Sequence, residues 1–182
     1  MNTDYTNNMI EYVSLVDEQD NEIGVMEKML VHQEALLHRA ISVFVFNDRN
    51  ELLLQQRAAE KYHSGLLWTN TCCSHPRPGE VVIEAAKRRL MEEMKMACNL
   101  TYEFSFTYKA VLTEELTEHE LDHVFFGESN AHPQPDPAEV ADWKYMPLQE
   151  IEKDMEKNPA IYTSWFKLML DKIKTVRNDH TD

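Results

Sequence analysis

Short runs of β-branched and aromatic residues, separated by polar turns, dominate the first third of the chain. Residues 10–16 (IEYVSLV) predict one strand, and the run that includes Ile23 and Val25 predicts a second after a polar turn. Residues 41–46 (ISVFVF) predict a buried strand, and a polar NDRN turn leads from it to the apolar residues 51–56. The pattern therefore predicts that 41–46 and 51–56 form a β-hairpin.

The spacing of the apolar positions changes at residues 81–97, where they recur every three or four residues. This spacing predicts an amphipathic helix whose apolar face contains Val82, Ala85, Ala86, Leu90 and Met94. Further patterns predict strands at 102–112 and 121–128 and helices at 149–157 and 163–176. Strands and helices in mixed order predict an α/β or α+β fold in which mixed sheets are sandwiched by helices.

Length and composition narrow the class of protein. The 182 residues suit one domain, which we expect at residues 10–178, after a flexible polar tail at residues 1–9. No run of 18 apolar residues and no basic, apolar leader occurs, so we expect a cytoplasmic protein that does not span a membrane. The net charge of −14 argues against nucleic acid as a partner, because neutralising phosphates needs a basic face. A small anionic substrate would need a local cluster of cations or a metal ion.

The segment WTNTCCSHPRPGE, residues 68–80, contains the most distinctive candidate for chemistry. Three cysteines, two of them adjacent, make a poor disulfide framework and favour a reduced compartment. Cys73 is followed by a Pro-Gly turn and is a candidate catalytic thiol, although a lone cysteine is more often a small buried hydrophobic residue. If the segment is extended, Cys72 points the other way, into the core. A cation beside Cys73 would lower the pKa of its thiol.

Histidines and carboxylates elsewhere suggest a metal site. His32, His38 and His75 are possible ligands of a divalent cation, although a single histidine is more often structural or exposed. Glu118 and Glu120 would lie on one face of a strand, where they either share a cation or form a solvated acidic loop. The helix at 84–93 is rich in Glu and Arg, which indicates either a salt-bridged surface helix or a site for Mg²⁺-bound diphosphate.

Cations and aromatic residues complete the candidate set. Each of four cations is a plain surface charge taken alone, but together they would form a phosphate clamp: Lys28, Arg57, Lys61 and Arg89. Trp165 and Tyr108 suit the core, and the indole of Trp165 could also stabilise a passing cation.

These pieces together resemble the type I isopentenyl-diphosphate isomerases, a branch of the Nudix fold. The matching segments occur in order along most of the chain, and they include EKMLVH (27–32), LLHRAISVFVFN (36–47), LLLQQRAAEKYHSGLLWTNTCCSHPRPGE (52–80), AAKRRLMEE (85–93), FTYKA (106–110), EHELDHVFFG (118–127) and YTSWFK (162–167). The WTNTCCSHP segment is the most specific of these. Lys95 departs from the usual Nudix helix, which has glycine at this place, and this departure agrees with the isomerase branch.

The resemblance implies a role for each candidate residue. It implies that Cys73 is the catalytic thiol and that Glu120 is the acid/base carboxylate, with Tyr108 hydrogen-bonded nearby and Trp165 facing the hydrocarbon. It implies a three-histidine, two-glutamate metal site made of His32, His38, His75, Glu118 and Glu120. It implies that Glu93 associates with the substrate's Mg²⁺, and it implies a diphosphate site made of Lys28, Arg57, Lys61 and Arg89.

The implied reaction interconverts isopentenyl and dimethylallyl diphosphate, a homoallylic and an allylic diphosphate, through a tertiary carbocation. Mg²⁺ would accompany the substrate, and the histidine-glutamate site would hold Mn²⁺, Zn²⁺ or Mg²⁺. We expect a monomer or homodimer. Three competing interpretations are a Nudix hydrolase of nucleoside diphosphates, a metal-binding module without activity, and a structural zinc site at Cys72, Cys73 and His75, whose spacing fits zinc poorly.

Overall fold

The computed structural model describes residues 10–179, within which nine strands form one sheet. The elements in chain order are β1 (Tyr12–Val16), β2 (Glu22–Glu27), α1 (Lys28–Gln33), β3 (His38–Phe46), β4 (Glu51–Arg57), β5 (Trp68–Thr69), β6 (Cys72–Ser74), α2 (Val82–Met94), β7 (Leu100–Val111), β8 (Thr117–Glu128), β9 (Val140–Pro147), α3 (Leu148–Lys157), a 3₁₀ turn (Pro159–Ile161) and α4 (Ser164–Asp179). The predicted tail at residues 1–9 lies outside the described residues. Each helix in the described range is too short or too polar to cross a bilayer.

Strand β3 is the centre of the sheet. It runs parallel to β8 over its whole length, from His38 opposite Glu120 to Phe46 opposite Glu128. It also pairs antiparallel with β6 over three residues and touches β1 at one position. The sheet is therefore mixed, as predicted.

The predicted hairpin of 41–46 and 51–56 is confirmed next to its turn but does not extend along the two strands. Strands β3 and β4 follow each other around the expected turn, but they pair only at Phe46 opposite Leu52. Strand β4 instead pairs along its length with β9. Adjacency along the chain favours a hairpin, but the alternative partner comes from a distant part of the chain and could not be read from local pattern.

Two apolar cores lie on opposite faces of the sheet, because side chains alternate along each strand. Phe44 and Phe46 of β3 face α3 and α4, where they pack with Phe166. Val43 and Val45 face α2, where the buried residues of the predicted apolar face are Ala85, Ala86, Leu90 and Met94. The fold is thus an α+β sandwich in one domain, which confirms the predicted fold class.

Helix α1 and strand β9 were absent from the predicted elements. Helix α1 has only six residues, and its N-cap is Glu27, whose carboxylate accepts from the backbone N–H groups of Met29 and Leu30 at 3.0 and 2.9 Å. Glutamate is not among the preferred N-cap residues, so the local sequence gives no start signal. Strand β8 begins at Thr117, four residues before the predicted start at residue 121.

Candidate active site

Three histidines and a glutamate from four separate segments meet in the structure. One ligand atom from each lies within 4.8 Å of the others, and the group consists of His32, His38, His75 and Glu120. His38 begins β3 and pairs with Glu120 of β8, so the parallel register brings these two together. His75 directly follows β6, and His32 lies in the last turn of α1.

The orientation of the histidine rings suits a metal ion. Nδ1 of His32 is 2.7 Å from the carbonyl oxygen of Lys28, and Nδ1 of His38 is 2.9 Å from that of Leu36. Because a carbonyl only accepts, each Nδ1 donates its N–H, and each Nε2 has a lone pair in the neutral ring. Nε2 of His32 is buried with no hydrogen-bond partner among the described residues. Backbone-anchored imidazoles with inward-facing Nε2 atoms are typical of metal-ligating histidines, so these side chains fit a divalent cation.

Burial sets the protonation states of this group. It lowers the pKa of His32 and lowers the pKa of His75 to about 4, so both rings are neutral at pH 7. Burial alone would raise the pKa of Glu120, but the His38 and His75 rings, whose Nε2 atoms lie 3.5 and 3.0 Å from its Oε1, hold that pKa well below its usual range. Neutral imidazoles and an ionised carboxylate are the forms that bind a metal.

Glu118 lies beside this group rather than within it. Its Oε2 lies 3.2 Å from the hydroxyl oxygen of Tyr108, and its Oε1 is 3.6 Å from Nε2 of His63. Burial and the neighbouring charge of Glu120 raise the pKa of Glu118 well above its usual range. The structure thus brings four of the five predicted ligands together, and metal binding by all five stays a prediction.

Cys73 faces a cavity next to this group, which we call the central cavity. On β6, Cys73 pairs with Ser42 of β3, and both side chains line the central cavity. Cys72 is fully buried on the opposite face, beneath α2, as the alternation predicts. The lowered pKa expected for a thiol beside a cation is not found, because burial raises the pKa of Cys73 more than the charge of Arg57 lowers it. Cys73 therefore keeps its proton at neutral pH and can act as an acid.

A second acid/base group lines the same cavity. The hydroxyl of Tyr108 donates to Oε2 of Glu120 at 2.6 Å, and both residues are on the cavity wall. Trp165 lines it too and is 2% exposed. The guanidinium carbon of Arg57 is 5.3 Å from the centroid of the Trp165 ring. A thiol, a carboxylate-hydroxyl pair and an indole thus line one cavity.

Four cations reach the central cavity from separate elements. Lys28 begins α1, Arg57 ends β4, Lys61 lies in the loop after β4, and Arg89 lies on α2. This convergence favours the phosphate-clamp interpretation over four independent surface charges. Their binding of a diphosphate stays a prediction.

Glu93 lies behind Arg89 rather than on the cavity wall. It is 3% exposed, its Oε1 accepts from Arg89 at 2.7 Å, and its Oε2 accepts from the Gln55 amide at 2.9 Å. Each oxygen of Glu93 thus accepts a hydrogen bond from a neighbouring side chain. The association of Glu93 with the substrate's Mg²⁺ stays a prediction.

The sequence did not point to several other residues of the cavity wall, among them His63 and Glu139. His63 is 7% exposed and meets the Trp165 ring edge-on at 5.8 Å between centroids. Glu139 lies between Lys61 and Arg89 and forms ion pairs with both. Neither residue belongs to a recognisable spacing pattern, and the only signal for His63 was its position two residues after Lys61.

Comparisons with known proteins identify the fold and the family. Residues 36–166 match the NUDIX domain family. The crystal structure of DR0079 from Deinococcus radiodurans superposes with a TM-score of 0.74 at 17% identity, covering 89% of this chain and 98% of that one. A MutT protein from Methanosarcina mazei superposes with a TM-score of 0.64 at 14% identity, covering 80% and 96%. At these identities the likeness shows the fold alone, and together with the family match it defines a Nudix-type protein.

Curated relatives identify the family within the Nudix-type proteins to which the chain belongs. Isopentenyl-diphosphate Delta-isomerase 1 of Aromatoleum aromaticum is 50% identical over 171 residues, 94% of this chain and 97% of the relative. The isopentenyl-diphosphate Delta-isomerase of Pectobacterium atrosepticum is 53% identical over 161 residues, 88% of this chain and 90% of the relative. The chain belongs to the type I isopentenyl-diphosphate Delta-isomerase family of the Nudix superfamily.

Proposed function

We propose that this protein interconverts isopentenyl diphosphate and dimethylallyl diphosphate, the reaction for which its curated relatives are named. One observation supports this most strongly. A single cavity is lined by a thiol, a carboxylate paired with a hydroxyl, a buried indole and four cations. A diphosphate hydrolase has no use for the first three of these groups.

The chemistry requires two acid/base groups. An unactivated alkene is a poor base, so it is protonated only by a well-placed acid in a site shielded from water. Adding a proton to the terminal carbon leaves a tertiary carbocation, and losing a proton from the neighbouring methylene gives the internal alkene. We propose that the thiol of Cys73 and the Tyr108–Glu120 pair perform these two transfers, with roles that exchange when the reaction runs backwards.

The carbocation needs a dry, electron-rich surrounding, since water would trap it as an alcohol. We propose that the indole of Trp165 faces the hydrocarbon and stabilises the cation by up to about 2 kcal/mol. The adjacent His63 adds no opposing charge at neutral pH, because burial lowers its pKa to about 3.

We propose that the diphosphate, together with its Mg²⁺, is held by the four cavity cations and positioned with Glu93. The diphosphate does not react. Binding of the diphosphate orients the alkene next to Cys73 and Glu120, and this orientation lowers the barrier to proton transfer.

We also propose that His32, His38, His75 and Glu120, with Glu118 beside them, hold Mn²⁺, Zn²⁺ or Mg²⁺. When bound, the cation changes the basicity of the Glu120 carboxylate. The cytoplasm is the compartment we propose, since reduced cysteines suit it.

A matched pair of cysteine variants tests the proposal. We expect the unmodified protein to convert isopentenyl diphosphate and to release no phosphate from nucleoside diphosphates. Cys73→Ala should lower turnover at least about 100-fold, the usual contribution of an acid/base group. Cys98→Ala should retain turnover, because Cys98 lies on another part of the surface. Retained activity in Cys73→Ala would refute the role of the thiol.

A further inference from the structure

A carboxylate projects into the cavity that we propose binds a diphosphate. Glu139 is the residue before β9, and its side chain lines the central cavity. A negative charge at an anion site repels the ligand by simple Coulomb interaction. Its presence there therefore calls for a physical explanation.

The side chain of Glu139 joins two of the four cavity cations. One oxygen forms an ion pair with Nζ of Lys61, and the other is 3.3 Å from Nη2 of Arg89. Burial would raise the pKa of Glu139, but the hydrogen bond from Lys61 and the charges of Lys61 and Arg89 outweigh it and lower the pKa. The side chains are 24%, 21% and 16% exposed for Glu139, Lys61 and Arg89, so water screens the pairs less than at an open surface.

The backbone of Glu139 is tied to the same structural elements. Its carbonyl oxygen accepts from the backbone N–H of Ala58, at the start of the loop that contains Lys61. Its N–H donates to the carbonyl of Asp136, whose own N–H donates to the carbonyl of Glu93 on α2, each at 2.9 Å. Glu139 is therefore connected by backbone to the loop after β4 and to α2, and its carboxylate bridges their cations.

We propose that Glu139 is a positioning residue for the diphosphate, holding Lys61 and Arg89 in the orientation that the ligand meets. This inference rests on the proposed function. Lysine and arginine side chains lose substantial rotamer entropy when they are fixed, and fixing them before binding reduces that loss. The ion pairs of the Glu139 side chain are with Lys61 and Arg89, so we infer that it acts through these two cations.

One binding measurement distinguishes positioning by Glu139 from simple repulsion of the ligand, because the two predict opposite changes in affinity when the charge is removed. Mg²⁺ with inorganic pyrophosphate is titrated calorimetrically into the unmodified protein, Glu139→Gln and the control Glu156→Gln, which removes an exposed charge from α3. Glutamine retains volume and hydrogen-bonding capacity, so the fold is kept. We expect Glu139→Gln to bind about tenfold more weakly, which is about 1.4 kcal/mol at 25 °C. Unchanged or tighter binding in Glu139→Gln would overturn the inference.

Steady-state kinetics and a double-mutant cycle test the same inference with quantities that a purely structural role of Glu139 would leave unchanged. Glu139→Gln should raise KM for isopentenyl diphosphate about tenfold while kcat stays within about threefold. In a Lys61→Ala background the same substitution should have a smaller effect on pyrophosphate binding, since its partner is gone. Full additivity would contradict action through Lys61. Pyrophosphate binding does not require turnover, so an inactive unmodified protein would refute the proposed function without deciding this inference.

Discussion

Replacing Tyr108 by phenylalanine isolates one hydrogen bond in the site. The substitution removes the hydroxyl that donates to Oε2 of Glu120 at 2.6 Å and that lies 3.2 Å from Oε2 of Glu118. The ring remains, and it stacks on Phe106 at 5.5 Å between centroids with 21° between the planes. Packing is thus retained, and the change is confined to the two carboxylates.

The expected loss of activity can be calculated from the hydrogen bond that Tyr108 donates to the charged carboxylate of Glu120. A hydrogen bond to a charged group contributes about 1.5–3 kcal/mol, which corresponds to about 10-fold to 150-fold in rate if it is lost only in the transition state. We therefore expect Tyr108→Phe to lower kcat by about that factor. KM should change little, because the hydroxyl donates to carboxylates and not to the cavity cations.

Steady-state kinetics of isopentenyl diphosphate conversion measure both quantities. Tyr145→Phe is the matched control, since its hydroxyl oxygen lies 3.1 Å from the carbonyl oxygens of both Ser129 and Ala131, outside the central cavity. A kcat for Tyr108→Phe within twofold of the unmodified enzyme, or an equal loss in Tyr145→Phe, would refute the reasoning.

Three further predictions follow from the fold and the site. Lys95 follows the last residue of α2 in the left-handed conformation, with φ of 52° and ψ of 38°. Lys95→Gly should therefore raise the free energy of unfolding, measured by urea denaturation, by about 0.5–1 kcal/mol, whereas Lys87→Gly inside the helix should lower it by about 1 kcal/mol. A decrease in the free energy of unfolding for both variants would contradict this. Burial lowers the pKa of His63 to about 3 in the folded protein, whereas the pKa is about 6.5 in the unfolded chain. Between these pH values the unfolded chain binds more protons, so the free energy of unfolding decreases as pH drops below about 6.5. His63→Gln should remove up to about 1.4 kcal/mol per pH unit of that fall between pH 6 and pH 5 in chelator-treated protein, and identical slopes would exclude the effect. Adding Zn²⁺ or Mn²⁺ after chelation should raise Tm, and His32→Gln should reduce the rise; an equal rise would place the metal elsewhere.

The sequence predicts much of the architecture because its periodicities are local. The alternation that places Cys72 in the core and Cys73 at the cavity is visible in three residues, and the apolar stripe of α2 is visible in thirteen. The same period of two puts Glu118 and Glu120 on one face of β8. The resemblance then supplied candidate roles, and the structure brings most of those residues to one place.

Long-range pairing could not be predicted in this way. His38 meets Glu120 because β3 and β8 run parallel, and no local pattern selects that partner over β4. Glu139 follows a proline-containing loop, and its importance appears only when Lys61 and Arg89 are seen on either side of it.

Proton NMR of isopentenyl diphosphate in D₂O, with the unmodified enzyme, Mg²⁺ and a histidine-site metal, tests the central claim most directly. Thiol and carboxyl protons exchange with solvent, so protonation by the cavity should place deuterium in a methyl group of dimethylallyl diphosphate, and Cys73→Ala should abolish the signal. The absence of conversion, or conversion without deuterium, would contradict the account.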